Sequence, residues 1–186
     1  EIDVSLVGSE MCIRDSDVLP AGDKATGYKA LAFHAVNSDF PIFDDIQKFV
    51  VDRGKAAGAG DQIGTVLYNR GMYNAMLITE AARTAQAIAG KSNISQADMI
   101  KGFEALEMTE EKMAALGLPG FGPSFSVSCE NHGGDGMVAV AQWDAGAGKW
   151  SIVSDFQASD MSVIQPLIDA DSGAFASENN LSPNCN

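Results

Sequence analysis

An α/β layered fold is predicted for these 186 residues, and three patterns carry the prediction. An aromatic and branched run at residues 27–36 reads as a strand. Apolar residues then recur every 3.6 positions from Tyr73 to Ile88, after Gly71 and before Gly90, as a helix requires. Beyond Gly120 the pattern changes to short extended runs, two of them joined by Asp144-Ala-Gly-Ala-Gly148, a hairpin signal. The order strand–helix–strand–helix–helix–helix–hairpin–helix contains no internal repeat and argues against an all-α bundle or an all-β barrel.

The elements follow in chain order. Gly27-Tyr-Lys-Ala-Leu-Ala-Phe-His-Ala-Val36 reads as a largely buried strand, with Tyr28, Leu31, Phe33 and Val36 supplying β-favouring bulk. Asp39-Phe-Pro41 opens a helix with Pro41 in its first turn. Phe43, Ile46 and Phe49/Val50 form its apolar stripe, and Arg53-Gly54 ends it. A Gly/Ala-rich loop leads to a short extended segment at 63–68. The next helix carries Tyr73, Met76/Leu77, Ala81, Thr84 and Ala87/Ile88 on one face and stops at Gly90. Ser95-Gln-Ala-Asp98 has the form of a capping box, with Asp in the usual Glu position. The helix it starts directs Met99, Ile100, Phe103 and Leu106 inward.

Thr109 caps a short helix bearing Met113 and Leu116, closed by Gly117. Residues 125–129, 137–143 and 149–155 read as strands. A terminal helix over 161–170 turns Met161, Ile164 and Leu167/Ile168 inward, with Pro166 opposing it from the middle.

Charge excludes some functions. Twelve Lys and Arg stand against 25 Asp and Glu, a net −13. Such a field repels phosphate backbones and anionic lipids, and no basic cluster interrupts it, so a nucleic-acid partner is not expected. No run of about 18 apolar residues could span a bilayer, so direct membrane insertion is not expected either. Of the three cysteines, Cys12 lies in an anomalous front segment. Cys129 and Cys185 then form a couple worth about 4 kcal/mol of loop entropy, or else all three are unrelated thiols.

Several constellations offer chemistry. Cys129-Glu-Asn-His132-Gly-Gly-Asp135 contains metal-ligand types, but no second cluster completes a zinc set, and a glycine-rich connection is the favoured reading. His34 could act as a base or ligand donor; its strand context favours a packed, structural histidine. No Gly-x-Ser-x-Gly elbow is present, and the Gly54–Gly64 stretch lacks the Lys-Ser/Thr of a phosphate loop.

Tyr68-Asn69-Arg70-Gly71-Met72-Tyr73-Asn74 is the stronger binding candidate, because phenols and amides suit a small ligand with polar and apolar parts. Against that, Asn69 could cap and Tyr73 belongs to the core stripe. Trp143 and Trp150 flank the hairpin and read as a packed cross-strand pair rather than a stacking platform.

Gly27-Tyr-Lys-Ala-Leu-Ala-Phe-His-Ala, Leu67-Tyr-Asn-Arg-Gly-Met-Tyr-Asn-Ala-Met-Leu and Ser128-Cys-Glu-Asn-His-Gly-Gly resemble a branch of the branched-chain amino-acid ABC-transporter substrate-binding proteins. Residues 137–143 and 149–155 fit the same branch, so the resemblance covers about residues 17–186. It implies the C-terminal half of a type I periplasmic binding fold, two α/β lobes that close on a solute.

On that basis residues 17–63 end the second lobe, 64–155 belong to the first, and 156–186 cross back toward the second. Residues 1–16 resemble a translated sequencing adapter and are expected to be non-native, with the true front and its signal peptide missing. The resemblance also implies a Cys129–Cys185 disulfide and export to the periplasm.

The expected function is therefore non-enzymatic capture of a branched-chain or other small amino acid, or a related amide or acid. The solute passes to an ABC-importer membrane permease, with no cofactor and no metal. Ligand candidates are Tyr68, Asn69, Tyr73 and His34, and the truncated chain is not expected to bind tightly alone. The alternatives are a small α/β enzyme using His34 or His132, and an acidic structural or adaptor domain.

Overall fold

The computed structural model describes residues 15–58, 60–182 and 185. The segment expected to be non-native lies outside these residues except for Asp15 and Ser16, which begin helix α1 (Asp15–Val18). Asp15 is tied into the fold: its carboxylate accepts from the Val66 amide at 3.1 Å.

Helices and sheets combine as an α/β fold. Strand β1 (Lys29–Ala32) pairs antiparallel with β4 (Met137–Asp144), which pairs in turn with β5 (Lys149–Ile152) and, near its start, with β6 (Gln157–Ala158). The hairpin between β4 and β5 falls where the sequence places it. Its register sets Trp143 opposite Trp150, and both indoles are buried with ring centroids 5.4 Å apart. A second sheet is the two-residue pairing of β2 (Glu107–Met108) with β3 (Phe125–Ser126). Neither β2 nor β6 is evident in the sequence, because two-residue strands carry no period.

Two expected strands need correction. The run at 27–36 is a strand only from Lys29 to Ala32, and it is not largely buried: Tyr28 is 45% and Leu31 51% exposed. The chain bends after Ala32, and His34, Ala35 and Val36 enter the core from that bend. Residues 63–68 are not extended. A 3-10 turn (Gly60–Gln62) leads to Thr65, whose hydroxyl accepts from the Tyr68 amide and caps helix α3 (Val66–Ala89). Capping outweighs the β preference of Ile63, Thr65 and Val66.

Helix α3 joins two clusters. Its first turn places Val66 with Val18, Ala141, Trp143 and Trp150. Farther along, Tyr73 and Met76 pack with Phe40, Phe43, Leu106, Met108, Met113, Leu118 and Phe121. Gly90 ends the helix in the left-handed conformation at φ 64°, as predicted. Helix α2 (Pro41–Ile46) begins with Pro41 in its first turn and runs into a π-helical turn (Gln47–Val51). That turn shifts the helical phase, so Phe49 and Val50 miss the inward stripe. Phe49 lies instead beneath the cations of Lys48 and Arg53.

Helix α4 (Gln96–Glu104) has the full Ser95–Asp98 capping box. The Lys91 ammonium and the Ser95 donors hold the Asp98 carboxyl well below the usual range. Its packing differs from expectation, since Ile100 and Phe103 remain partly exposed. The contact with α3 is made through Gly102 instead: a Cβ there would lie 2.2 Å from the Ala81 oxygen and 2.7 Å from the Ala85 Cβ. Helix α5 (Glu110–Ala115) is capped by Thr109 and buries Met113, as predicted.

Helix α6 (Met161–Glu178) is longer than predicted, continuing through Pro166. Its expected inward residues all face out, from Ile164 at 37% exposed to Leu167 at 64%. No described residue of this helix is buried, because no other described element covers its apolar side. The chain returns beyond α6 through a Cys129–Cys185 disulfide, with Cα atoms 5.4 Å apart.

Candidate functional site

Three of the four candidate ligand residues meet in one buried cluster where α3 crosses the bend after β1. Asn69 is fully buried on the inner side of α3, and its amide donates to Ala35 O at 3.0 Å and to Asn37 O at 2.8 Å. These bonds pin the bend to the helix. His34 is also buried, with Nδ1 2.8 Å from Ala35 O. A carbonyl only accepts, so this contact places the proton on Nδ1 and leaves Nε2 as the acceptor. Nε2 has no hydrogen-bond partner among the described residues.

The His34 ring lies parallel to Phe121 at 5.8 Å and edge-on to Phe33 at 4.8 Å. Burial lowers its proton affinity, and the charge of Arg70 acts the same way, against the opposing effect of the Ala35 hydrogen bond. Tyr73 stands 5.9 Å from His34, and burial pushes its phenol up to about 12. Tyr68 is half-buried at the edge of the cluster, its ring edge-on to Phe43 at 5.9 Å.

His132 lies elsewhere, exposed, with Nε2 3.5 Å from Glu104 Oε1. Glu104, Cys129 and His132 offer three ligand atoms within 4.8 Å of one another. The donor set does not suit a metal, because the Cys129 sulfur is bonded to Cys185 and is no thiolate. The same bond removes Cys129 as a nucleophile. His34 contacts a carbonyl and aromatic rings rather than a carboxylate, so neither histidine is set between an acid and a nucleophile.

Sequence reasoning missed a cavity of about 530 Å³ between Phe33, α3, α4 and residues 123–137, with Glu104, His132 and Asp135 among its lining. Phe103 was expected in the core and instead forms part of its wall. No local pattern marks such a site, since its residues converge from distant segments.

Comparison with solved structures gives the broader setting. A structure described as an ABC transporter permease from the Pseudomonas fluorescens group matches with a TM-score of 0.84 and 35% identity, over 93% of this chain and 42% of that one. The chain is a structural homologue of ABC-transporter components. A branched-chain amino acid ABC transporter from Thermus thermophilus, solved with bound valine, matches with a TM-score of 0.56 and 20% identity, over 80% of this chain and 38% of that one.

The second likeness is one of fold. The chain thus spans about two fifths of the length of either structure. Both are named as ABC-transporter proteins. No protein-family model matches, and no curated protein matches. Among the described residues no helix is long and apolar enough to cross a membrane.

Proposed function

We propose that this chain is part of a solute-binding protein that serves an ABC importer, taking up a branched-chain or other small amino acid, or a related amide or acid, by closure of two lobes. The observation that carries the reading is the match over 93% of the chain at 35% identity to an ABC-transporter structure. The valine in the Thermus thermophilus structure makes aliphatic amino acids the first solutes to test. The outward apolar side of α6 supports a further packing partner: Val163, Leu167 and Phe175 are each at least 60% exposed, more than a helix left in water normally offers.

In this reading residues 17–63 complete the second lobe, 64–155 belong to the first, and 156–186 return toward the second. Tyr68 faces the solute, while Asn69, His34 and Tyr73 hold the backbone behind it. The disulfide suits an oxidising compartment such as the periplasm. A membrane permease is the partner that receives the solute.

Two experiments test this. Genomic DNA upstream of Asp17 should continue in frame into a second α/β lobe; a native start codon beside Asp17 overturns the lobe assignment. Calorimetric titration of the protein so extended with valine, leucine and isoleucine should show saturable binding that Tyr68→Ala weakens at least tenfold. Absence of binding to every amino acid, amide and aromatic acid tried rejects the solute class.

A further inference from the structure

The 530 Å³ cavity lies between Phe33, α3, α4 and residues 123–137, and neither Tyr68 nor Asn69 lines it. Its volume is that of a small-molecule site. Tyr73, Leu77, Phe103 and Phe125 supply an aromatic and aliphatic wall. Its polar lining includes Glu104, His132 and Asp135, and of these Glu104 and His132 stand side by side. Two carboxylates against one imidazole make the polar lining acidic in balance. Glu104 is well placed to act: its side chain is 28% exposed, and His132 Nε2 lies 3.5 Å from one carboxylate oxygen. The chain's net charge of −13 adds a long-range attraction for cations.

We infer that this cavity binds a small apolar amine, its hydrocarbon part against Phe103 and Phe125 and its ammonium at Glu104. Such a site is formed by residues of this chain alone. An aromatic ring fits the wall because edge and face contacts with Phe and Tyr are available there. An ammonium satisfies the Glu104 carboxylate, where a carboxylate-bearing compound meets repulsion.

The test uses three probes of similar size, 2-phenylethylamine, phenylacetate and ethylbenzene, each titrated into the 186-residue chain and followed by amide and methyl NMR shifts. The amine should bind saturably and perturb Leu77, Phe103 and Phe125, at least tenfold more tightly than phenylacetate. Glu104→Gln should weaken the amine at least fivefold and leave ethylbenzene unchanged; Ile100→Trp, which adds bulk at the cavity wall, should weaken both. Equal affinity for phenylacetate overturns the charge assignment. Shifts centred on Tyr68 and Asn69 instead overturn the location, as does the absence of saturable binding by all three probes. None of these results bears on amino-acid binding by the longer protein, so the two proposals fail separately.

Discussion

His34 and Asn69 are tied to one atom, the carbonyl oxygen of Ala35: His34 Nδ1 lies 2.8 Å from it and Asn69 Nδ2 donates to it at 3.0 Å. The bend after β1 is thereby held from the strand side and from α3 together. Asn69 adds a second donation, to Asn37 O at 2.8 Å.

Replacing Asn69 with Ala removes both donations and, of these two side chains, leaves the buried Ala35 carbonyl with the His34 contact alone. The expected cost is about 1–3 kcal/mol in urea unfolding. Asn74, exposed on the same helix, is the control: Asn74→Ala should change stability by less than about 0.5 kcal/mol. Equal effects at the two positions would show that the Asn69 bonds contribute nothing.

The buried imidazole gives the fold a pH dependence of known sign. The proton affinity of His34 is lowered from the ordinary 6.5 by burial, so below pH 6.5 the unfolded chain binds a proton that the folded chain resists. Stability is therefore full above pH 6.5 and falls as pH drops toward the folded value, by at most about 1.4 kcal/mol per unit. His34→Gln should remove that part of the slope between pH 7 and 5. His132 is retained in both proteins, so the difference isolates His34; parallel curves would contradict the assignment.

Two glycine substitutions should have opposite signs. At Gly102 a Cβ would meet the Ala81 oxygen at 2.2 Å, so Gly102→Ala must separate α3 from α4 and should cost roughly 1–3 kcal/mol. At Gly71 nothing lies within 4 Å of the added carbon. Gly71→Ala should therefore stabilise α3 by about 0.5–1 kcal/mol. Chemical denaturation of the two variants reads both, and a stabilising Gly102→Ala would mean the helices are farther apart than described.

The Cys129–Cys185 bond ties the end of the chain to the loop before β4. Cys185→Ser should lower stability by about 2–4 kcal/mol, and a reductant should lower the parent protein by the same amount without affecting the variant. Non-reducing peptide mass spectrometry should recover the linked pair. Melting curves of the parent that ignore reductant would contradict this.

Much of the local structure was legible in the sequence because its causes are local. The Ser95–Asp98 box, the Thr109 cap, the Gly90 stop and the turn at residues 145–148 each depend on hydrogen bonds or backbone angles within a few residues. The Trp143–Trp150 pair followed from the hairpin register. The Cys129–Cys185 pairing did not follow from spacing; family resemblance implied it, and the structure forms it. Residues 63–68 were misread because β-branched side chains signal a strand whether or not a cap lies among them.

The candidate site was legible only in part. Tyr73 was recognisable as core, and His34 as a packed histidine. That Asn69 would bind two carbonyls more than 30 positions away, or that Glu104, His132 and Asp135 would share a cavity, depends on how distant segments meet.

By itself the sequence determined several helix caps and the Gly90 stop, that the fold is α/β, and that the molecule is strongly acidic. Only the tertiary structure decided which apolar faces are inside. Periodicity shows that α6 has an apolar side and that α4 carries Ile100 and Phe103, but burial requires an element opposite. Opposite α4 the chain places Gly102 against α3 and opens a cavity beside it; opposite α6 the described residues place nothing. A side chain's own chemistry sets its preference for burial, whereas its burial depends on what packs against it.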